Sequence, residues 1–391
     1  MSVNENLESR MSSVAKLALV AGLGALLLCV AGGFHNPTQF FRSYLLGYIF
    51  WLGVALGSLA ILMLHHLVGG NWGFAIRRML ESGTKTLVVM AALTVPLLFG
   101  LRHLYLWADP AQAALEKAVE QKALYLNVPF FIVRTGAFFA MWIILAYFLN
   151  RWSLEQDRTG HPDLIRRLQS LSGPGLVIYG LSVTFMSIDW VMSLEPSWGS
   201  TIYGMIFIVT QVLSALSVAI IACLLLSKTK PLADRIFPMA LNDLGNLLLT
   251  FTMLWAYLSF SQYLIIWSGN LPEEITWYAA RATGSWAWVA VILIVFHFAV
   301  PFLLLLSRYV KRRIRFLAAV AAGMIVMSLV DLFWLMTPAY QRSGPEFHGT
   351  DVLAVVGIGG IWIWRFVSQL KLNPLVPLND SRMTEGAPHH A

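Results

Sequence analysis

The sequence has 391 residues, of which 58% are hydrophobic and only 12% are charged, and its mean hydropathy is +0.69. Soluble domains carry about 25% charged residues, so this composition excludes a chain of ordinary soluble domains. The formal net charge of +7 does not indicate nucleic-acid binding, because the basic excess lies in short loops between apolar runs, as in membrane proteins that face anionic lipid.

Ten apolar runs are long enough to cross about 30 Å of hydrocarbon, which takes about 20 helical residues. In chain order they are predicted at residues 15–34, 41–67, 86–107, 127–150, 172–193, 201–226, 241–267, 283–306, 315–337 and 350–369. Residues 1–14 and 371–391 are predicted to be tails outside the membrane. The sequence therefore predicts an all-α integral membrane protein of about ten transmembrane helices, with its membrane domain over residues 15–370.

The positions of lysine and arginine orient these helices, because cytoplasmic loops retain them. If the N-terminus lies inside, all but seven of the 27 lysines and arginines fall on the inner side. The seven exceptions are Arg42, Arg102, Lys117, Lys122, Arg134, Arg281 and Arg342. Both termini are therefore predicted to be cytoplasmic, in a bacterial inner membrane.

Redox cofactors are not expected on this chain. Its two cysteines, Cys29 and Cys223, lie in different predicted helices, which excludes a Cys-x-x-Cys-His haem attachment and a cysteine set for an iron–sulfur cluster. A pair of histidine ligands for haem b needs matching depths, and the depths of the histidines differ. These histidines are His65, His66, His103 and His297. The stretch Gly357–Gly360 precedes no lysine and predicts a helix-packing surface, not a phosphate loop.

Ionisable side chains inside the predicted helices are the main candidates for function, because burying them costs several kcal/mol unless they are paired or hydrated. Arg134, Asp189 and Asp331 lie in the outer half, with His103 at its edge, and Asp243 and His297 lie in the inner half. Each half of the membrane is thus predicted to hold at least one acid and one base.

Polar residues recur on one face of the seventh predicted helix, within a sector of about 60° and over roughly 27 Å. They are Asp243, Asn246, Thr250, Tyr257 and Ser261. The sixth predicted helix repeats the pattern with Tyr203, Thr210, Ser214 and Ser217. Such stripes are typical of helix packing, because hydroxyl groups bond to their own backbone or to a neighbouring helix. The acid at position 243 favours a proton relay instead.

Three long strings resemble a known family. They are DWVMSLEPSWGSTIYG at Asp189–Gly204, FSQYLIIWSGNLPEE at Phe260–Glu274, and FWLGVALGSLA at Phe50–Ala60, followed by HHLVGG at His65–Gly70. They are similar to the NrfD-like membrane subunits, of the polysulfide reductase membrane subunit family, that occur in bacterial alternative complex III. The resemblance extends through nearly all ten predicted helices and is to the smaller of the two NrfD-like subunits.

The resemblance implies two four-helix bundles, at about residues 41–193 and 201–337, flanked by the first and last helices. It implies a quinol:electron-acceptor oxidoreductase, with cytochrome c or a similar acceptor, in which this chain supports quinol oxidation without redox centres of its own. The implied partners are a larger NrfD-like subunit, an iron–sulfur subunit, multihaem and monohaem cytochrome c subunits, small membrane anchors, lipids and a terminal oxidase. Haem and iron–sulfur clusters would lie on those partners, and quinone is the one cofactor that this chain could contact.

Proton conduction is the hypothesis that joins the resemblance to the residues. Asp243 and His297 would form the inner half-path, and Asp189, Asp331 and His103 the outer one. Tyr203 and Tyr257 would bridge the two halves. The outer-half residues Arg134, Asp189 and Asp331 either line a quinone headgroup cavity or form a buried ion-pair set. A secondary transporter and a purely structural scaffold are the alternative functions.

Overall fold

The computed structural model describes residues 3–380 and 382, and all secondary structure in these residues is helical. Ten of the described helices are long and apolar enough to cross a membrane, which confirms the predicted all-α, multi-pass fold. They are α1 (Leu7–His35), α2 (Pro37–Val68), α3 (Asn71–Phe99), α4 (Val128–Thr159), α5 (Asp163–Leu194), α6 (Tyr203–Leu226), α7 (Pro238–Gly269), α8 (Gly284–Leu306), α9 (Ile314–Ala339) and α10 (Gly349–Leu370). We call the end of the molecule where α1 begins the N-side, and the opposite end the far side.

The helices form two groups of four. In the first group α2 packs on α3 and α5, and α4 packs on α3 and α5. In the second group α6 packs on α7 and α9, and α8 packs on α7 and α9. We call these groups bundle one and bundle two. They meet where α2 packs along α6, so that the first helix of each bundle forms the joint.

The joint depends on a close approach of two backbones. The most apolar window of α2 is 94% buried, more than that of any other described span, so α2 is the central helix of the molecule. A Cβ atom added at Gly57 would lie 2.1 Å from the backbone oxygen of Gln211 on α6. Glycine at position 57 therefore allows the two bundles to touch along their backbones.

Replacing Gly57 with alanine is expected to lower the free energy of unfolding by about 1–3 kcal/mol, because the added methyl group has to push α6 away. The measurement is the thermal unfolding transition in detergent. Gly180→Ala on α5 is the matched control, since its added Cβ would meet no atom within 4 Å. Equal transitions in the two variants would contradict the close approach at the joint.

The first and last helices pack against each other, and α10 also packs on α2. Small residues form this contact: an added Cβ at Gly22 would lie 2.9 Å from the backbone oxygen of Gly357, and one at Gly360 would lie 2.4 Å from that of Ala18. A Cβ at Gly359 would meet the ring of Trp51 on α2. The predicted packing role of residues 357–360 is confirmed.

The third helix begins at Asn71, about fifteen residues before the predicted boundary at residue 86. Its first turns, Asn71–Thr84, are almost fully buried although they contain Arg77, Arg78 and Glu81. Arg77 Nε lies 3.0 Å from Glu81 Oε1, and Arg78 Nη1 lies 2.5 Å from Glu81 Oε2. The two arginines are compensated inside the protein by Glu81 together with the Asp157 and Asp380 carboxylates. A hydropathy window counts each charge separately and therefore predicts a loop.

Both predicted tails are partly ordered in the structure. Helical structure already begins at Val3, before the span α1. After α10 the chain folds back over the N-side, with Leu375 and Val376 buried, and Asp380 Oδ2 lies 2.8 Å from Arg77 Nη1. Burial alone would raise the pKa of the Asp380 carboxyl, but hydrogen bonds from Arg382 and the charge of Arg77 lower it to about 2. An ionised carboxylate therefore fixes this segment to α3.

Candidate functional site

A buried carboxyl group lies inside bundle two. Asp331 on α9 is 2% exposed. Its Oδ2 accepts a hydrogen bond from Thr210 Oγ1 on α6 at 3.1 Å and another from Trp255 Nε1 on α7 at 3.2 Å. Both donors are neutral, and among the described residues Asp331 has no ion-pair partner. Three helices of the bundle thus converge on one carboxylate oxygen.

The fourth helix of the bundle contributes His297. Its ring packs on the Trp255 ring with the centroids 4.2 Å apart, and it is fully buried. Neither ring nitrogen has a hydrogen-bond partner among the described residues. The Trp255 side chain therefore connects the two groups, because its N–H donates to Asp331 while its ring contacts His297.

A local change of helix type positions His297. Residues Leu293–Ala299 of α8 form a π-helical turn, and Pro301 follows four residues after His297. Proline has no N–H to donate to the carbonyl of His297, and its ring displaces that carbonyl from the regular ladder. Such π-helical turns occur frequently at functional sites.

Hydroxyl groups continue the polar interior of bundle two along α6, with Tyr203 on the far side of Thr210 and with Ser214 and Ser217 on its N-side. Tyr203, Thr210, Ser214 and Ser217 on α6 are all buried, so the polar face predicted on the sixth helix points inward. Ser217 Oγ, and Ser328 Oγ on α9, have no hydrogen-bond partner among the described residues. Together with Asp331 and His297 they make a polar core in which a proton or a water molecule could be held. We define the bundle-two polar core as the following eight residues: Tyr203, Thr210, Ser214, Ser217, Trp255, His297, Ser328 and Asp331.

The polar face of the seventh helix points the other way. Asn246, Thr250 and Tyr257 are exposed, Tyr257 to 66%. Asp243 and Ser261 are half-buried, and Asp243 has no hydrogen bond or ion pair among the described residues. The opposite face of α7, which carries the buried residues Leu244, Leu248, Thr252, Trp255 and Leu258, packs into the bundle. The predicted seam from Asp243 to Ser261 therefore lies on the outside of this chain and does not join the buried acids.

The other predicted acid and base form an ion pair in bundle one. Arg134 on α4 donates to Asp189 on α5 with two nitrogens, Nε to Oδ2 at 2.8 Å and Nη2 to Oδ1 at 3.0 Å. Its Nη1 donates to the backbone oxygen of Tyr125, and its guanidinium lies over the Tyr125 and Phe130 rings. This bidentate arrangement fixes the orientation of the Asp189 carboxylate. The structure does not bring Asp331 to this pair.

The remaining predicted residue, His103, lies apart from the acids. It is exposed near the far side, where it stacks on Phe41 and its Nδ1 lies 3.3 Å from Thr38 Oγ1. No contact with Asp189 or Asp331 is found for this ring among the described residues. The outer half-path predicted from Asp189, Asp331 and His103 is thus distributed over three separate places.

A further buried ion pair, on the far side of the molecule, was not predicted. Arg281, in the loop between α7 and α8, is fully buried and its Nη2 lies 2.7 Å from Glu195 Oε2 in the loop after α5. The same guanidinium donates to the backbone oxygens of Trp277 and Leu335. Burial lowers the pKa of Arg281, and Glu195 opposes that change. This pair lies at the far side of bundle two. Its sequence signal is Arg281 itself, the single basic residue in the loop between α7 and α8.

The sequence matches no protein family model and no curated protein. The bundle-two polar core therefore has to be interpreted from its own chemistry, together with the resemblance of the three sequence strings.

Proposed function

We propose that this chain is a membrane subunit of a quinol:electron-acceptor oxidoreductase of the alternative complex III type, and that it conducts protons through bundle two. Proton conduction is supported by the buried Asp331 carboxyl. This group accepts hydrogen bonds from neutral donors only, and Trp255 connects it to His297. The three family-like strings carry the assignment to a quinol-oxidising complex.

Asp331 is better suited to proton transfer than Asp189. Taking up a proton at Asp189 requires breaking a bidentate ion pair with Arg134, which is costly in a buried site. Asp331 has no such cation among the described residues, so protonation changes only its hydrogen bonds to Thr210 and Trp255. A buried carboxyl that can change protonation is the usual element of proton relays in membranes.

The proposed route follows α6 and not α7. From Asp331 the proton passes to His297 or to the hydroxyl groups of Ser328, Ser214 and Ser217, with water filling the gaps between them. Quinol oxidation supplies the protons, because each quinol that gives up two electrons also releases two protons. Asp243 and the exposed polar face of α7 have no part in this route.

The exposed polar face of α7 supports a multi-subunit assembly. Tyr257 lies near the middle of α7 and is 66% exposed, and its hydroxyl has no hydrogen-bond partner among the described residues. Thr250, on the same face, is exposed too, but its hydroxyl donates to the backbone oxygen of Asn246 at 2.8 Å. A polar group that faces hydrocarbon without a partner is costly, so a helix from another membrane subunit is expected to cover this face. The larger NrfD-like subunit is the proposed partner, with haem and iron–sulfur clusters on further subunits.

The proposed orientation places the N-side in the cytoplasm of a bacterial cell. Most lysines and arginines lie at this end, and cytoplasmic loops retain such residues. The polar core then lies between the cytoplasmic end of bundle two and the Glu195–Arg281 ion pair at its outer end.

A secondary transporter is less consistent with the helix geometry. Transporters built from repeats interrupt equivalent helices in both halves. Here α3 is divided into short segments such as Leu87–Leu93 and Val95–Phe99, and α8 contains the π-helical turn. The counterparts of these helices in the other bundle, α7 and α4, are continuous. The interruptions thus occur at positions that do not correspond.

Purification of the tagged chain in mild detergent, followed by absorbance spectroscopy, tests the assignment to a redox complex. We expect the c-type haem bands of partner subunits to copurify and to be reduced on addition of a quinol. A chain that purifies alone without haem, and that catalyses solute uptake in liposomes, would contradict the proposal.

A further inference from the structure

An apolar groove runs along the outside of bundle two between α8 and α9. Its volume is about 480 Å³, and the residues that line it are all apolar; they include Phe296, Val300, Leu304, Ala319, Gly323 and Met327. A Cβ atom added at Gly323 would meet nothing within 4 Å, so the small residues of α9 leave the groove open. An open cleft of this volume with an apolar lining suits a flexible hydrocarbon chain.

The N-side end of this groove is strongly basic. Arg308, Arg312 and Arg313 lie in the short connection from α8 to α9, and Arg315 lies in the first turn of α9. All four are exposed. None of the four forms an ion pair in the part of the chain that the structure describes, and the sequence has no acidic residue between positions 275 and 330. The Arg313 guanidinium lies 3.8 Å from the centre of the Tyr309 ring. Val310 and Phe316 belong to the lining, so the apolar wall continues directly into the arginines.

We propose that this groove binds one anionic phospholipid, with an acyl chain between α8 and α9 and the phosphate at the arginines. The apolar lining gains free energy by burying the chain in a preformed cleft, and exposed arginines bind phosphate oxygens with charge-assisted hydrogen bonds. Basic pockets at the ends of membrane helices bind such headgroups in other proteins. The first turn of α9, which begins at Ile314, adds free N–H groups at the same end.

A second cavity on the protein surface provides a control for the general attraction of basic loops to anionic membranes. It lies at the N-side between α4 and α5, has a similar volume of about 480 Å³, and contains Arg166 and Arg167. Its wall also carries the Asp163 carboxyl and Ser170, and it has no continuous apolar cleft. Arg166 and Arg167 are thus two exposed arginines that have no apolar cleft for an acyl chain beside them.

Native mass spectrometry of the delipidated protein, titrated with phosphatidylglycerol or with phosphatidylcholine of the same chain length, measures the binding. We expect a specific phosphatidylglycerol adduct on the native protein. The double variant Arg312→Gln/Arg315→Gln is expected to weaken this adduct about tenfold or more. The matched variant Arg166→Gln/Arg167→Gln is expected to retain it. Equal losses in the two variants would overturn the proposal in favour of a nonspecific charge effect.

A groove variant tests the acyl chain separately from the headgroup. Gly323→Leu fills the cleft with a side chain that has space, and it is expected to weaken the phosphatidylglycerol adduct while the thermal unfolding transition stays unchanged. An unchanged adduct in this variant, or displacement of the adduct by inorganic phosphate alone, would identify a simple phosphate site and overturn the proposal. A loss with Gly323→Leu but none with the Arg312 and Arg315 variant would identify an uncharged chain, such as an isoprenoid, and would also overturn it.

Discussion

Replacement of Arg134 by methionine is expected to lower the free energy of unfolding by about 3–5 kcal/mol, because it leaves the buried Asp189 carboxylate without its partner. Asp189 is fully buried, and two of the guanidinium nitrogens bind its two oxygens. Methionine keeps much of the side-chain volume, so the loss reports the charge and the hydrogen bonds more than a cavity. Reversible unfolding in mixed detergent measures the change.

Two further variants separate an ion pair from a simple packing role. Arg134→Lys keeps the positive charge but loses the two parallel N–H donors of the guanidinium. Its free energy of unfolding is expected to lie between those of the native protein and Arg134→Met, because an ammonium group does not bind both carboxylate oxygens in this geometry. The double variant Arg134→Met/Asp189→Leu is expected to be more stable than Arg134→Met, since no unpaired charge remains. A double variant that is less stable than Arg134→Met would contradict the ion-pair account.

Replacement of Asp331 by asparagine is expected to slow quinol oxidation by the intact complex about 100-fold, the usual scale of a lost proton-transfer group. Asparagine has almost the same shape and still accepts hydrogen bonds from Thr210 and Trp255, but it does not exchange a proton. Turnover of the purified complex with a soluble quinol measures this. Normal subunit content and haem spectra are required, since they show that assembly is unaffected.

Variants of His297 and Trp255 distinguish a role of Asp331 in proton transfer from a purely structural role. His297→Phe removes the ring nitrogens but keeps a ring on Trp255, and it is expected to alter the pH dependence of turnover while stability changes little. Trp255→Phe removes one of the two hydrogen bonds to Asp331. Turnover and pH dependence that match the native complex in both variants would contradict the connection between Asp331 and His297.

The number and type of the long helices could be predicted from the sequence, because a span of hydrocarbon requires a run of apolar residues. The start of α3 could not. Arg77, Arg78 and Glu81 are compatible with burial because they contact one another and two further carboxylates. These are Asp157 and Asp380, and Asp380 lies about 300 positions later in the chain. A contact over such a sequence distance leaves no trace in a local hydropathy pattern.

The members of the bundle-two polar core were only partly predictable. Asp331 and His297 are conspicuous because ionisable residues are rare inside membrane helices. The connection between Asp331 and His297 is not visible in the sequence, because it depends on Trp255, a largely apolar residue on a third helix. The indole side chain of Trp255 contacts both residues, although their positions along the predicted helices assign them to different halves of the membrane.

The direction of the α7 polar face also could not be read from the sequence. Periodicity shows that Asp243, Asn246, Thr250, Tyr257 and Ser261 share a face, but not whether that face points into the bundle or outward. In water an apolar face is expected to point inward, whereas in a membrane lipid and protein neighbours are both apolar. On α6 the equivalent stripe points inward, and on α7 it points outward.

The rate of proton release on a pulse of quinol, measured with a pH-sensitive dye for the intact complex in proteoliposomes, tests the central claim most directly. The comparison is between Asp331→Asn and Asp243→Asn, the same substitution at a buried and at a half-buried position. We predict slow proton release for Asp331→Asn and a rate near that of the native complex for Asp243→Asn. Native proton release in Asp331→Asn, or a loss confined to Asp243→Asn, would contradict a proton route through the interior of bundle two.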